Sequence, residues 1–180
     1  MNRLEALRAD VEAAYQMLDG SEASEAYSDR HGIESAAILT ILDGERAELL
    51  TEYLRPRIEG RTVVEIGAGI GMLALFMGEY AKRVYAIEAE PAWSWAFVCH
   101  LYKAKPKNVS FLFGAADEFS PLIRGDVALF CTHSGRPAMA RAAAMFAPAV
   151  IDVHAEILGE KRIAQVERAA RRKARATLTR

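Results

Sequence analysis

The sequence predicts an α/β fold: an open parallel sheet, with five core strands and helices on both faces, preceded by N-terminal helices. Three observations carry this reading. The apolar pattern changes period near residue 60, from helical spacing to short β-branched and aromatic runs. Five such runs then alternate with helical stretches, and the first of them ends in a glycine-rich turn. Strand and helix in alternation imply parallel strands joined by crossovers that cover both faces of the sheet.

Taken in order, Leu4, Leu7, Val11, Ala14, Tyr15 and Leu18 follow the spacing of one helical face, so residues 1–18 read as a helix ended by Gly20. Residues 21–32 are small, acidic and weakly periodic, a loop or a short, mobile helix. Over residues 33–54, Ile38, Leu42, Leu49, Leu50 and Tyr53 favour one or two helices, which Arg55-Pro56 is expected to close because proline disfavours helix at the residue before it. The five strand-like runs are residues 62–66, 83–87, 109–113, 126–130 and 149–153. Helical patterns fall at residues 72–80, at 91–102 with Pro91 suited to a first turn, and at 137–146. A last helix spans residues 160–177, with Ile163, Val166 and Ala170 on one side and Arg168, Arg171, Arg172, Lys173 and Arg175 among its cations. It is read as a solvated helix packed by a narrow apolar stripe, with a nucleic-acid contact as the sharper alternative. The expected organisation is a helical N-terminal lid over residues 1–60, a sheet core over 61–158, and the basic helix over 159–180.

A chain of 180 residues has the length of one domain. Its 52% apolar and 26% charged residues describe an ordinary globule, neither disordered nor a membrane bundle. The longest uncharged stretch, residues 66–78, is shorter than the roughly 20 residues a spanning helix needs. The first residues alternate charge with Leu and Ala and lack the apolar core of a secretory signal. Two cysteines, Cys99 and Cys131, give neither a disulfide framework nor metal-ligand spacing, so a cytoplasmic location and no metal are expected. The net charge of -1 hides a gradient. Residues 1–60 carry 13 acidic and 6 basic groups, residues 61–159 carry 9 of each, and residues 160–180 carry 2 acidic and 8 basic groups. The oppositely charged ends would complement each other within one chain or across two.

The chemistry is concentrated in Glu65-Ile66-Gly67-Ala68-Gly69-Ile70-Gly71, between the first strand and its helix. A strand that turns at once into a helix needs residues without Cβ atoms, and the backbone it exposes is a nucleotide-binding surface. The spacing is not that of a dinucleotide fingerprint, because Met72 stands where its third glycine would be, and no Gly-Lys-Ser/Thr of a phosphate loop is present. Glu88 ends the second strand, 17 residues beyond Gly71. A carboxylate there accepts hydrogen bonds from both hydroxyls of a ribose. The plainer alternative is a capping acid ahead of Pro91 beside a merely tight turn.

These residues resemble the class I S-adenosylmethionine-dependent methyltransferases. The run Val63-Val64-Glu65-Ile66-Gly67-Ala68-Gly69-Ile70-Gly71 is similar to their first motif, and Val84-Tyr85-Ala86-Ile87-Glu88 to their second. The resemblance implies a Rossmann-like fold and S-adenosyl-L-methionine as cofactor. Glu65 and the loop of Gly67, Ala68, Gly69 and Gly71 would hold its amino-acid end, Glu88 its ribose, and Ala89 its adenine. A narrower likeness upstream, in Tyr27-Ser28-Asp29 and in Ile41-Leu42-Asp43-Gly44-Glu45-Arg46, is to protein arginine methyltransferases and related predicted RNA methylases. It implies that Arg46 binds the cofactor carboxylate; a surface arginine paired with Glu45 or Glu48 is the alternative. Together the likeness covers residues 27–131.

The departures bear on the acceptor. After the third strand stands Gly114-Ala115-Ala116-Asp117 in place of Gly-Asp-Ala, so backbone groups of Ala115 and Ala116 would edge the adenine. After the fourth, Cys131-Thr132-His133-Ser134 shows neither the double glutamate of arginine methylation nor the Asn-Pro-Pro-aromatic run of amino-group methylases. A small metabolite is therefore the first expectation for the acceptor, RNA or protein the second, and a non-catalytic cofactor-binding subunit the rival from another class. Methyl transfer is an in-line displacement that depends mainly on alignment and exclusion of water. A hydroxyl or ammonium nucleophile still needs a base, and His133, at the carboxyl end of the fourth strand, is the candidate; otherwise it lies in a polar loop. Cys131 reads as a buried thiol rather than a nucleophile. Trp93, Trp95, Phe97 and Tyr102 read as packing and adenine shielding, or, with Lys103, Lys105 and Lys107, as a stacking and phosphate-binding surface for RNA. The family core ends in a hairpin that this length does not accommodate, so an open sheet edge is expected to be covered by a second subunit, the N-terminal segment or the basic helix.

Overall fold

The computed structural model describes residues 21–31, 44–131 and 136–157. Its elements run α1 (Glu22–His31), α2 (Gly44–Ile58), β1 (Thr62–Ile66), α3 (Met72–Met77), β2 (Arg83–Glu88), α4 (Pro91–Ala104), β3 (Val109–Phe113), α5 (Ala116–Phe119), β4 (Val127–Phe130), α6 (Arg136–Ala144), β5 (Ala149–Asp152) and α7 (Val153–Ile157). The expected helices over residues 1–18 and 160–177 lie outside the described residues.

The five strands form one sheet in the order β3-β2-β1-β4-β5, every neighbouring pair parallel. β1 is entirely flanked, with Glu65 opposite Ala86 on β2 and Leu129 on β4. A strand flanked and covered in this way is apolar throughout, which is why β1 and β4 read as continuous runs rather than as alternations. Alternation still decides which side each residue serves. Val63, Val84, Ala86, Val127, Leu129 and Ile151 pack with α2, α3 and α4 in one core cluster. Val64, Ile66, Ile87, Ala128 and Phe130 pack on the other face with Phe119 of α5, Ala143 of α6 and Phe146. Strand order reverses between β1 and β4. In open α/β sheets the crevice outside the carboxyl ends of the strands, at such a reversal, is where ligands bind.

Of the two readings left open for residues 21–32 the short helix is the one found, and the next helix runs further than expected. Residues 22–31 are helical, carrying Glu22 and Glu25 in the first turn, where acids complement the helix dipole. Low apolar periodicity hid this helix from the sequence pattern. α2 does not stop at Arg55-Pro56 but runs on to Ile58. The last turn is held from both sides. Ile58 is completely buried, and Arg55 reaches Glu59 at 3.2 Å and lies 4.4 Å from the centre of the Tyr80 ring. Tyr80 in turn donates its hydroxyl hydrogen to Glu52 Oε1 at 2.6 Å. These contacts outweigh the missing amide of Pro56. Ala47, Leu50, Leu54 and Ile58 join the same core as α3 and β1. Among the described residues no helix is long and apolar enough to cross a membrane, and β3 and β5 are the sheet edges.

Because Pro56 is exposed and lies inside a helix, Pro56→Ala restores an amide and removes a ring from the helical ladder. An interior proline costs about 3 kcal/mol relative to alanine, and the stiffer unfolded chain returns about 0.4–1 kcal/mol of that. Urea unfolding should show a net gain of about 2–2.6 kcal/mol; a neutral or destabilised variant would argue against a helix continuing past Arg55.

Candidate functional site

The glycine turn predicted between β1 and α3 is present, and β2 and α4 hold it in place. Gly67, Gly69 and Gly71 have φ of 72°, 57° and 83°, a left-handed backbone that side chains disfavour. The carbonyl of Ile87 accepts two hydrogen bonds, from Gly67 N–H at 2.9 Å and Ala68 N–H at 3.0 Å. One residue on, Glu88 Oε2 accepts the Gly69 N–H at 2.7 Å. Gly71 has a second reason to be glycine: a Cβ there would sit 2.1 Å from Cδ2 of the buried Phe97 ring. His100, also buried, completes the hold by donating from Nδ1 to the Ile70 carbonyl at 2.9 Å, which fixes its neutral tautomer as the Nδ1–H form.

Glu88 is 8% exposed. Its Oε1 accepts the Glu90 N–H at 2.7 Å. Burial raises its carboxyl above the ordinary range, and hydrogen bonds from the amides of Glu90, Gly69 and Ala89 oppose the rise. A carboxylate offers about four lone-pair sites. The Gly69 and Glu90 amides occupy one on each oxygen and the Ala89 amide approaches as a third, which leaves acceptor capacity for a ribose hydroxyl. Glu90 is itself tied to α1 through Arg30, at 2.8 Å.

Glu65 has no such compensation. It is 2% exposed, and its Oε2 has no hydrogen-bond partner among the described residues. Burial, and then the neighbouring Glu88 carboxylate, push its carboxyl well above the usual value. Cys131, one residue past β4, shares this environment: burial, Glu65 and Asp152 raise its thiol to about 12. It is therefore protonated at neutral pH, a packing thiol as expected rather than a nucleophile.

Beside the glycine turn, β2 and β3 end together. Glu88 pairs in register with Phe113, and Gly114 N–H donates to the Glu88 carbonyl at 3.0 Å. This brings Ala89 and the turn of Ala115 and Ala116 side by side, with Ala89 and Ala115 exposed. Gly114 has φ 146°, and a Cβ on it would meet Glu118 and Phe119.

Thus Glu65, Gly67, Ala68, Gly69, Gly71, Glu88, Ala89, Ala115 and Ala116 meet at one end of the sheet. Arg46 belongs to the first turn of α2, which packs on the Glu65 side, and its side chain lies outside the described set; His133 is outside the described residues altogether. Sequence reasoning missed the supports, Phe97, His100 and Arg30. Trp93, Phe97 and His100 recur at spacings of four and three, the signal of one buried helical face.

No protein-family model and no curated protein matches the sequence. Solved structures do. A candidate RNA methyltransferase from Pyrococcus horikoshii is 25% identical, with a TM-score of 0.49 over 59% of this chain and 58% of that one. Precorrin-6y C5,15-methyltransferase from Geobacter metallireducens is 18% identical, with a TM-score of 0.51 over 58% of this chain and 57% of its own. Aeropyrum pernix fibrillarin, crystallised with natively bound S-adenosyl-L-methionine, is 19% identical, with a TM-score of 0.47 over 56% of this chain and 50% of its own. In each case the match extends over less than two thirds of the neighbour.

A buried acid with a raised carboxyl keeps a proton that the unfolded chain releases near pH 4.3. Stability contributed by protonated Glu65 is therefore full below that value and lost as pH climbs toward the raised native one. Glu65→Gln removes the titration, so its melting temperature relative to the parent should climb as pH rises from about 4.3 toward neutral, by ~2–4 °C for each kcal/mol recovered. Melting curves that keep a constant offset across that range would refute the raised carboxyl. With its β3-β2-β1-β4-β5 parallel sheet, its glycine turn and the acid closing β2, the chain has the fold of the class I S-adenosylmethionine-dependent methyltransferases.

Proposed function

We propose that the chain binds S-adenosyl-L-methionine along the carboxyl ends of β1, β2 and β3 and transfers its methyl group to an acceptor that enters beside β4. The observation that carries this is the disposition of two buried carboxylates about one glycine turn. Glu88 is fixed by amides and retains acceptor capacity, while Oε2 of Glu65 lacks a partner among the described residues. A ribose diol suits the first and an ammonium group the second, because a cation compensates a buried carboxylate that nothing else does.

The cofactor supplies an electrophilic methyl group on a sulfonium, so activation of the donor is already complete. The chain's residues have three tasks. Glu88, with the backbone of Ala89, Ala115 and Ala116, orients the nucleoside. Glu65 and the 67–71 turn hold the amino-acid end, with Arg46 proposed for its carboxylate. The residues after β4 position the acceptor, and His133 is proposed as the base for a nucleophile that must lose a proton. For the acceptor itself, a small metabolite is supported by the absence of the double-glutamate and Asn-Pro-Pro-aromatic runs after β4.

Calorimetric titration of the chain with S-adenosyl-L-methionine tests the binding step, and absence of heat at millimolar ligand would overturn the reading. Glu88→Gln keeps the shape but loses the charge-assisted bonds, each worth about 1.5–3 kcal/mol; affinity should fall about 10- to 100-fold, and an unchanged affinity would remove Glu88 from the ribose site. Methyl transfer is read in a screen of acceptors with labelled cofactor. On whichever acceptor is found, His133→Ala should lower kcat about 100-fold or more while leaving cofactor affinity intact, and equal turnover would dismiss the base.

A further inference from the structure

α4 has an outer face that neither the core nor the cofactor reading uses. Trp93, Ala96, Phe97 and His100 turn inward. Trp95, Val98 and Tyr102 remain 59%, 49% and 77% exposed. Spacings of three and four residues align these three on one stripe, with Trp95 and Tyr102 about 10 Å apart along the axis.

The stripe ends in positive charge. Lys103, Lys105 and Lys107 are exposed, and Lys105 Nζ lies 5.6 Å from the centre of the Tyr102 ring. The turn before β3 is pinned to the loop before β2, because Asn108 Nδ2 donates to the carbonyls of Gly78 and Ala81, both at 2.8 Å, and Val84 N–H donates to the Asn108 carbonyl at 2.8 Å. That pinning adds the exposed Lys82 to the same end, whereas Arg83 lies over the Tyr85 ring on the other face of the sheet. No acidic residue occurs between positions 91 and 116, and Glu79 is the one acid in the loop before β2.

We infer that the outer face of α4 is a track for single-stranded nucleic acid, with bases stacked on Trp95 and Tyr102 and phosphates held by Lys82, Lys103, Lys105 and Lys107. Flat π faces beside a cationic rim are the elements that bind unpaired bases without reading their sequence. A protein partner would call for a broader apolar patch than a stripe one side chain wide, and paired bases would offer the two rings no open face. The inference requires only α4 and its neighbouring loops, so it stands apart from the cofactor reading. If a strand does lie here, an oligonucleotide joins the acceptor screen, since α4 begins three residues after Glu88.

The test uses the full chain and fluorescein-labelled oligouridylate and oligothymidylate of about ten nucleotides, followed by anisotropy at several salt concentrations. Expected is binding whose logarithm falls with the logarithm of salt at about 0.7 per phosphate contacted, together with quenching of tryptophan fluorescence that Trp95→Phe abolishes, since Trp93 is buried. Trp95→Ala and Tyr102→Ala should each weaken binding roughly 5- to 100-fold. Replacing Lys103, Lys105 and Lys107 together with Gln should flatten the salt slope by about 2. All five residues are exposed, and a melting curve confirms that each variant folds. The inference is overturned by absence of binding to both oligonucleotides at tens of micromolar, by binding that the aromatic variants leave unchanged, or by tighter binding to a blunt duplex of the same length.

Discussion

The site depends on one contact between adjacent parallel strands, the acceptance of the Gly69 N–H by Glu88. β1 and β2 run in register to their ends, Ile66 beside Ile87, so the turn that leaves β1 must pass over the end of β2. There the Ile87 carbonyl takes two amides of the turn, Glu88 takes the next, and α4, which follows at once, supplies Phe97 against Gly71 and His100 for the Ile70 carbonyl. Every anchor of the turn thus comes from one neighbouring strand and the helix after it. The glycines are what permit so close an approach. A side chain at Gly71 would displace Phe97, and with it the inner face of α4.

That geometry places two carboxyl groups in the interior, and burial raises both. Glu88 receives amide hydrogens that oppose the rise, whereas Oε2 of Glu65 has no partner among the described residues and its carboxyl is pushed well above the usual value. The Cys131 thiol, at the neighbouring strand end, is driven the same way. Burial therefore disfavours an unpaired charge at the ends of β1 and β4, and a cation placed beside the Glu65 carboxyl would supply the partner that would make its ionised form tolerable there.

Much of this was legible from the chain alone, for physical reasons that vary by element. The strands were visible because they are short runs rich in β-branched and aromatic residues, and β1 and β3 begin and end where those runs do. Glu88 was visible because an acid closing a β-branched run has little structural reason to be there. α1 was ambiguous because its residues are polar and small, and the periodicity that betrays a helix requires an apolar face. The extension of α2 past Pro56 was hidden because it is secured by Tyr80, Glu52 and Glu59; a local rule about proline cannot weigh a tertiary contact. The roles of Phe97 and His100 were hidden likewise: periodicity marks them as buried, but only the fold shows that they are buried against the turn.

α4 joins these levels, because its two faces answer to different demands. The inner face is accounted for by the turn it supports. The outer face is not explained by helix formation, since tryptophan, valine and tyrosine are poorer helix formers than the alanine, glutamate or lysine that a solvated face can use. Nor is it explained by burial, as Trp95 and Tyr102 stay in contact with water. Single exposed apolar residues are ordinary on any surface; three aligned on one stripe, running into a group of lysines without an acid between them, are not. A helix that is anchored on one side by the glycine turn and left aromatic and cationic on the other has an outer face whose composition the described residues do not account for.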